Sequence, residues 1–328
     1  MTPLSSPPPT RSVGTPDLRI GVVGATGAVG TVTLQLLAER GFENVRAFAS
    51  SRSAGKTVVY GDRELAVEEA TPEAFASGNL DLCFFSVGTE ASLELVPPAA
   101  AGGAVCIDKS DAFRLTEGVP LVVAGVNDEV LNGDEIVANP NCSAIQLACV
   151  LKPLSDAAGL AGVRLATYQS MSGAGDAGIE RLRATQPMEA DLAMDWDLEG
   201  DEFSEESKLR AETRKILGLP DVPIQATCVR VPVLVGHSQA TWVETVEPLS
   251  PDEASELLAA APHVRLAEFP TPKEAAGEDD VLVARIRQDL TDRRGLALWS
   301  VCDNLRKGAA LNAVQIAEAL LERRLLPA

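Results

Sequence analysis

Residues 18–41 read LRIGVVGATGAVGTVTLQLLAERG. A strand-like apolar run (Ile20, Val22, Val23) enters a turn punctuated by Gly24, Gly27 and Gly30. Val32, Leu34, Leu36 and Leu37 then recur at helical spacing until Gly41. Strand, glycine turn and helix in this order predict a unit whose turn cradles a pyrophosphate. Glycines let the backbone come close, and the helix N-terminus favours negative charge. Gly24, Thr26, Gly27, Ala28 and Val29 are therefore candidate cofactor contacts. A glycine pattern alone is equally a tight turn with no ligand, so the flanking strand and helix carry the argument.

Outward from that unit the alternation continues. VRAFASS (45–51) reads as a second strand, and its tip runs into SRSAGK (51–56). In a dinucleotide fold this tip meets the adenosine ribose, where an acid holds the 2′-hydroxyl of NAD and an arginine accommodates the 2′-phosphate of NADP. The tip carries Arg52, Ser53 and Lys56 and no acid, which points to NADP(H); a solvated basic loop is the bland alternative. Strand-like runs KTVVY, RELAVEEA, LDLCFFSVG, GAVCID, PLVVAGV and EIVAN follow, with helical patterns at 71–78 and 89–102. The expected fold is α/β, with a doubly wound, mainly parallel Rossmann-type sheet. Ligands of such sheets bind outside the carboxyl ends of the strands, which singles out Ser86, Gly88 and the stretch Asp108 to Arg114.

The bulk properties narrow the function classes. The 328 residues are 46% hydrophobic and 23% charged, as in ordinary globular proteins of one or two domains. A formal net charge of −19 disfavours nucleic acid and anionic membranes as partners. No apolar run reaches the length of about 18 residues that suggests a membrane span. The first 17 residues are rich in Pro, Ser and Thr and lack a signal-like apolar core, so they are expected to be a disordered tail on a cytoplasmic protein. None of the six cysteines forms a CxxC pair, which argues for reduced thiols and against a metal site. There are two histidines, His237 and His263; the latter is expected at the surface.

Residues 138–146, ANPNCSAIQ, set a cysteine directly after an Asn-Pro turn and before a helical apolar run. A helix N-terminus and a nearby imidazole both lower a thiol pKa, so Cys142 is a candidate nucleophile; otherwise it is a buried small hydrophobe. Further on, VRLATYQSMSGAGDAG is a strand entering a glycine turn, 187–207 looks irregular, and SEESKLRAETRKILG is a helix with Ser204 as its N-cap. A Pro-punctuated strand pair, a helix near 250–261 and strands at 281–290 and 296–302 suggest a mixed or antiparallel second sheet. An amphipathic helix ends the chain. The expected organisation is a tail at 1–17 and domains at 18–140 and 141–307.

The ordered series GATGAVG, SRSAGK, FFSVG, SDAFR, NPNCSAIQ, YQSMSGAG, EESKLRAETRKIL, CVRVPVLVGHS and DNLRKGAALNAVQIAE resembles the aspartate-β-semialdehyde dehydrogenases over roughly 18–328. The resemblance implies NADPH-dependent reduction of L-aspartyl-4-phosphate to the semialdehyde through a cysteine thioester, in biosynthesis of the aspartate-family amino acids. Asparagine rather than glycine before Cys142 sets the chain apart from the related N-acetylglutamyl-phosphate reductases. By the same resemblance Cys142 is the acylated nucleophile, His237 the base, and Gln169 orients the substrate. Arg230 would hold the α-carboxylate and Glu205 the α-ammonium, with Asn141 nearby. Arg114 and Lys208 would bind phosphate. Arg52, Ser53, Ser86, Gly88, Ser172, Gly173, Asn312 and Gln315 join the glycine turn as NADP contacts. The resemblance further implies that 18–140 binds NADP and is completed by the C-terminal helix 308–328, and that 141–307 is an α+β catalytic and dimerisation domain. A homodimer or homotetramer is implied.

Four positions depart from the usual pattern: Gln239 in place of Glu, Gly125 in place of Glu, Lys109 where an uncharged polar residue is usual, and Asp111 where Ser is usual. Two other functions compete. One is reduction of another acyl phosphate or an acyl-CoA, opposed by the head-group pair Glu205 and Arg230. The other is a non-catalytic nucleotide-binding paralogue, opposed by the intact set Cys142, Gln169, Arg230 and His237.

Overall fold

The computed structural model describes residues 17–186 and 189–326. The expected tail therefore falls, but for Asp17, outside the described residues, as do residues 327–328 at the end of the stretch expected to be the C-terminal helix, and two of the stretch 187–207.

The first half is a seven-stranded sheet built from β1 (Ile20–Val23), β2 (Val45–Ala49), β3 (Thr57–Tyr60), β4 (Arg63–Glu69), β5 (Leu82–Phe85), β6 (Val105–Asp108) and β7 (Ile136–Ala138). Its order is β3-β4-β2-β1-β5-β6-β7, parallel throughout except for the β3–β4 hairpin. Helices α1 (Ala28–Glu39), α2 (Pro72–Ala76) and α3 (Thr89–Ala101) cross over between strands. The strand order reverses at β1, so the carboxyl ends of β1 and β5 diverge into a crevice. Two glycines build the turn there. Gly24 takes φ +82°, and a side chain on Gly30 would lie 2.1 Å from the Gly24 carbonyl, so α1 starts hard against the strand end.

PLVVAGV is not a strand. It pairs only at Leu121, opposite Ala138. Side-chain amides take the place of a neighbouring strand: Asn127 accepts from Val123 N and donates to Leu121 O, while Asn312 accepts from Ala124 N and donates to Val122 O.

In the second half, α4 (Cys142–Ala158) leads to β8 (Leu160–Gln169), a 3₁₀ turn at Met171–Ala174 and α5 (Gly175–Ala184). The glycine-rich stretch after β8 thus launches a helix. The stretch expected to be irregular holds a short hairpin, β9 (Leu198–Glu199) and β10 (Glu202–Phe203), and leads into α6 (Ser204–Leu217). Ser204 is the first helical residue rather than the cap; the cap is Phe203, whose N–H donates to Glu206. β11 (Ile224–Arg230), β12 (His237–Thr245), α7 (Pro251–Ala260), β13 (Val264–Leu266), α8 (Pro272–Ala275), β14 (Val281–Gln288) and β15 (Gly295–Cys302) follow. The sheet order is β11-β8-β12-β15-β14-β13, parallel at its two outer pairs and antiparallel between, so it is mixed. One π-turn, Arg306–Ala310, precedes α9 (Leu311–Glu322).

Each sheet has its own core. α4, hydrophobic over most of its surface, packs Ile145, Leu147, Leu151 and Leu154 with Val163, Leu165, Val243, Val283 and Leu298 of the second sheet. Leu311, Val314, Ile316 and Leu320 of α9 join Ile20, Leu34, Leu37 and Ile107 of the first sheet. Each such side chain contributes about 1.5–3 kcal/mol through burial. α9 therefore belongs to the first core, and the π-turn before it crosses the boundary between the two sheets.

Candidate active site

A cleft of about 460 Å³ lies on that boundary. Its walls include Gly27, Ala28, Val29, Ser86, Gly88 and Arg114 from the carboxyl ends of the first sheet, and Asn141, Cys142, Gln169, Ser172, Gly173, Glu205, Lys208 and Arg230 from α4 and the second half. Gly27 and Gly88, each capping a helix N-terminus, leave the space above them open. The turn can therefore take a phosphate against backbone amides, as a dinucleotide requires.

Cys142 opens α4. The Asn141 side chain caps the helix by accepting from Ser143 N at 2.8 Å, and its Nδ2 donates to Glu205 Oε1 at 3.0 Å. Gln169, at the end of β8, donates to the same oxygen at 2.8 Å. Packing against the π-turn is tight: a side chain on Gly308 would lie 3.1 Å from Cys142 Cβ. The thiol pKa is pushed up to about 11, first by burial and then by the Glu205 carboxylate; Arg230, Arg114 and Lys109 pull it down. The lowering expected from the helix N-terminus and an imidazole does not prevail in the substrate-free site.

His237 begins β12 and is fully buried. The Ser170 N–H donates to its Nδ1 at 3.0 Å, so the neutral ring carries its proton on Nε2. Among the described residues Nε2 has no partner, and it faces the space beside Gly173, where a side chain would come within 3.1 Å of it. Burial, then Arg230, lowers the pKa to about 3. In this state the ring is a hydrogen-bond donor, which differs from the expected base beside the cysteine. Asn304 braces the arrangement, accepting from Ser170 Oγ at 2.8 Å and Gly236 N at 2.9 Å. It also lines the cleft. Sequence reasoning missed it, although DNLRKG was among the motifs quoted.

The two arginines differ. Arg230, at the end of β11, donates through Nε to Asp195 at 2.8 Å, reaches the Ser170 carbonyl and lies 4.6 Å over the Trp196 ring. Arg114 donates to Asn139 O at 3.1 Å, to Asp111 and Glu212 at 3.0 Å each, and to Lys109 O. Glu212 in turn accepts from Asn141 N at 2.6 Å, so Arg114 braces the corner that carries Cys142. Lys208 is bonded to Asp111.

The remaining candidates are spread out. Arg52 is exposed on the turn after β2, and Thr26 lies 3.5 Å from Ser53, so these three stand beside the crevice. Asn312 and Gln315 stand apart from the cleft lining. Asn312 supports the Leu121–Ala124 backbone and Asn139. Gln315 accepts from the buried Lys307 at 2.7 Å and lies 3.3 Å from His263. His263 is accordingly half-buried rather than a surface residue, with its pKa lowered to about 3 by burial and then by Lys307. The Gly125 departure fits this: its backbone is at φ +79°, and a side chain there would lie 3.0 Å from the His263 ring. Gln239 donates to Ser143 O at 2.9 Å, a bond that an ionised carboxylate could not make.

A crevice for a dinucleotide joined to a cysteine site defines a nicotinamide-dependent aldehyde-forming enzyme. Family profiles agree: the semialdehyde dehydrogenase NAD binding domain matches residues 19–133, and the semialdehyde dehydrogenase dimerisation domain matches 194–307. The aspartate-semialdehyde dehydrogenase of Corynebacterium glutamicum is 43% identical, covering 92% of this chain and 99% of its own. That of Legionella pneumophila is 43% identical, covering 94% and 97%. The crystal structure of aspartate semialdehyde dehydrogenase II from Vibrio cholerae superposes with a TM-score of 0.88 at 38% identity, covering 93% of this chain and 99% of that one. A second structure of that protein is complexed with ASA. The chain belongs to the aspartate-semialdehyde dehydrogenase family, and its fold and enzyme class are those of the family.

Proposed function

We propose that the chain converts L-aspartyl-4-phosphate to L-aspartate-4-semialdehyde through a thioester on Cys142, with NADPH preferred over NADH. The observation that carries this is one continuous cleft in which Cys142, Gln169, Glu205 and Arg230 face the open glycine cradle at Gly27 and Gly88. Arg52 at the tip of β2 supports the NADP preference.

Glu205 takes the α-ammonium and Arg230 the α-carboxylate, a planar fork suited to a guanidinium. Glu205 is also the carboxylate that holds the empty-site thiol up. An ammonium on Glu205 offsets that effect, while a carboxylate on Arg230 offsets the lowering that Arg230 supplies. The thiolate attacks the acyl carbon, the C–S bond forms, the C–O bond to phosphate breaks, and inorganic phosphate leaves. When bound, the dinucleotide supplies the hydride that reduces the thioester. In this reading Gln169 and the unpaired Nε2–H of His237 hold the oxygen on which negative charge develops. Loss of Cys142 Sγ from carbon then releases the aldehyde.

The outward face of the second sheet supports a homodimer, with a homotetramer as the larger alternative. Arg164, Tyr168 and Trp242 stand exposed on it, and of these Trp242 lies within the match to a dimerisation domain at residues 194–307. Residues 18–140 with 308–328 form the nucleotide-binding unit and 141–307 the catalytic one. Among the described residues no helix is long and apolar enough to cross a membrane; a cytoplasmic location belongs to the proposal.

The test is Cys142→Ser with aspartate semialdehyde, phosphate and NADP. It should form no NADPH yet still bind NADP, and mass spectrometry of the wild type should find the acyl adduct on Cys142 alone. An adduct on Cys149, or normal turnover by the variant, would refute the assignment.

A further inference from the structure

The π-turn Arg306–Ala310 carries the chain from the second sheet to α9, and Leu305, Gly308 and Ala309 line the cleft with Cys142. Such turns are rare and concentrate at functional sites. This one is seated closely on the nucleophile, since a side chain on Gly308 would lie 3.1 Å from Cys142 Cβ. The residue before that glycine is Lys307, which has no exposed surface. Among the described residues its ammonium makes one hydrogen bond, to Gln315 Oε1 at 2.7 Å, and no ion pair. A fully buried cation without a carboxylate partner is costly, and no step of the proposed reaction uses it.

The anchor continues past Gln315. Because Gln315 Oε1 takes the ammonium, its Nε2 faces His263 Nδ1, at 3.3 Å. His263 fills the space above Gly125, and its backbone stands at φ 59°, a region that side-chain-bearing residues seldom adopt. The relay thus joins three places: the π-turn, α9 with the first core, and the connection from α7 to β13. On the same turn Arg306 pairs with Asp279 and with Glu39 of α1. Resting on the activity proposed above, we propose that Lys307 is a positioning residue for Cys142: tied through Gln315 to His263, it holds the π-turn so that Gly308 stays seated against the nucleophile. The lysine touches neither substrate nor cofactor. Its effect is on the placing of the thiol, so it falls on kcat rather than on binding.

Two readings are taken on Lys307→Met, Gln315→Met, Gln315→Glu and, as a destabilised control in the first core, Leu34→Ala. One is kcat and KM with the semialdehyde, phosphate and NADP. The other needs no turnover: the rate at which iodoacetamide alkylates each cysteine, followed by mass spectrometry. Lys307→Met should lower kcat tenfold or more with both KM values for semialdehyde and NADP within about twofold. Its Cys142 should be alkylated at least threefold faster, because the released turn uncovers the thiol, while Cys149 and Cys302 stay unmodified. Gln315→Met keeps the cation but removes its anchor, and should act in the same direction. Gln315→Glu offers the ammonium a charged acceptor of the same shape, and should recover most of what Gln315→Met loses. Leu34→Ala should lose stability and keep both readings within twofold. If Lys307→Met does not fold, the two Gln315 variants decide. Wild-type kcat and alkylation in Lys307→Met or Gln315→Met overturns the proposal. So does faster alkylation spread over Cys149 and Cys302, which reports opening of the second core and not of the turn. If wild type forms no NADPH from the semialdehyde, the activity fails instead, and the alkylation rates still decide whether Lys307 places Cys142.

Discussion

Arg114 and Arg230 are both nearly buried, both face one cleft and both pair with a carboxylate, yet their surroundings differ in kind. Arg114 spends four hydrogen bonds on the protein, and its partner Glu212 is 2% exposed. Arg230 is held along one edge by Asp195, which is 29% exposed, and on one face by Trp196, while its Nη2 has no partner among the described residues. The first geometry suits a structural post and the second an oriented receptor with one edge left for a ligand. The difference teaches that a basic residue lining a cleft is assigned by the donors it has left, not by its sign.

The largest expected effect follows from the post. Arg114→Met should leave the Glu212 carboxylate buried and unpaired, costing about 3–5 kcal/mol of stability, the usual figure for breaking a buried pair. Denaturant unfolding measures it, and activity should be lost because Glu212 also holds the Asn141 N–H before Cys142. A variant that is as stable as wild type but weak for phosphate would return Arg114 to the receptor class. Arg230→Ala comes next. It should raise semialdehyde KM strongly, roughly 2–5 kcal/mol in kcat/KM for a desolvated carboxylate left without its partner. Its midpoint of unfolding should move less than that of Arg114→Met; an unchanged KM would remove the head-group assignment.

Much of this was legible beforehand. The glycine turn at 24–30, the parallel order of the first sheet and the mixed second sheet follow from periodicity and punctuation, because those signals are local. Cys142 at a helix start was equally local. The misreadings beyond the local boundaries at Ser204 and in 187–207 involve side chains that replace backbone partners or fill space from afar. Val122 to Ala124 has strand composition, but Asn127 and Asn312 satisfy its backbone. His263 sits beside a helix end, but Gly125 leaves room for its ring and Gln315 lies against it. The occupied state of Arg114 and Lys208 depends on Asp111, which is 97 residues from Lys208 in the chain. No window of sequence displays such a pairing.

A smaller effect separates the arginines by their reach. Burial and then the Arg230 charge depress His237, and burial and then Lys307 depress His263, each to about 3 from 6.5. Both rings are neutral when folded, whereas the unfolded chain takes up protons below pH 6.5. Stability is therefore unaffected above that pH and falls as pH drops from 6.5 toward 3. Each ring contributes up to about 1.4 kcal/mol per pH unit. Unfolding free energies at pH 7.5, 6 and 5 should decline less steeply in His263→Asn than in wild type. The acid limb of kcat should show no step near 6.5; because burial remains, Arg230→Ala should move the His237 titration only part of the way back toward 6.5, and the size of that move measures what the Arg230 charge supplies.

The finest test is Asp195→Asn. Asparagine still accepts from Arg230 Nε, so the guanidinium keeps its seat on Trp196, but the charge that holds Arg181 and Arg230 together is gone. Because Asp195 is partly exposed, its pair is worth less than a buried one, about 0.5–1.5 kcal/mol. If Asp195 orients the receptor edge, semialdehyde KM should rise about three- to tenfold with kcat within twofold, and Asp195→Glu should recover part of it. If Asp195 instead stands in for the absent substrate carboxylate, neutralising it removes a competitor, and KM should fall. That outcome would make Arg230 as self-occupied as Arg114 and would dissolve the contrast between them. The sign of one KM change, with stability unmoved, thus decides whether this carboxylate positions the arginine or blocks it.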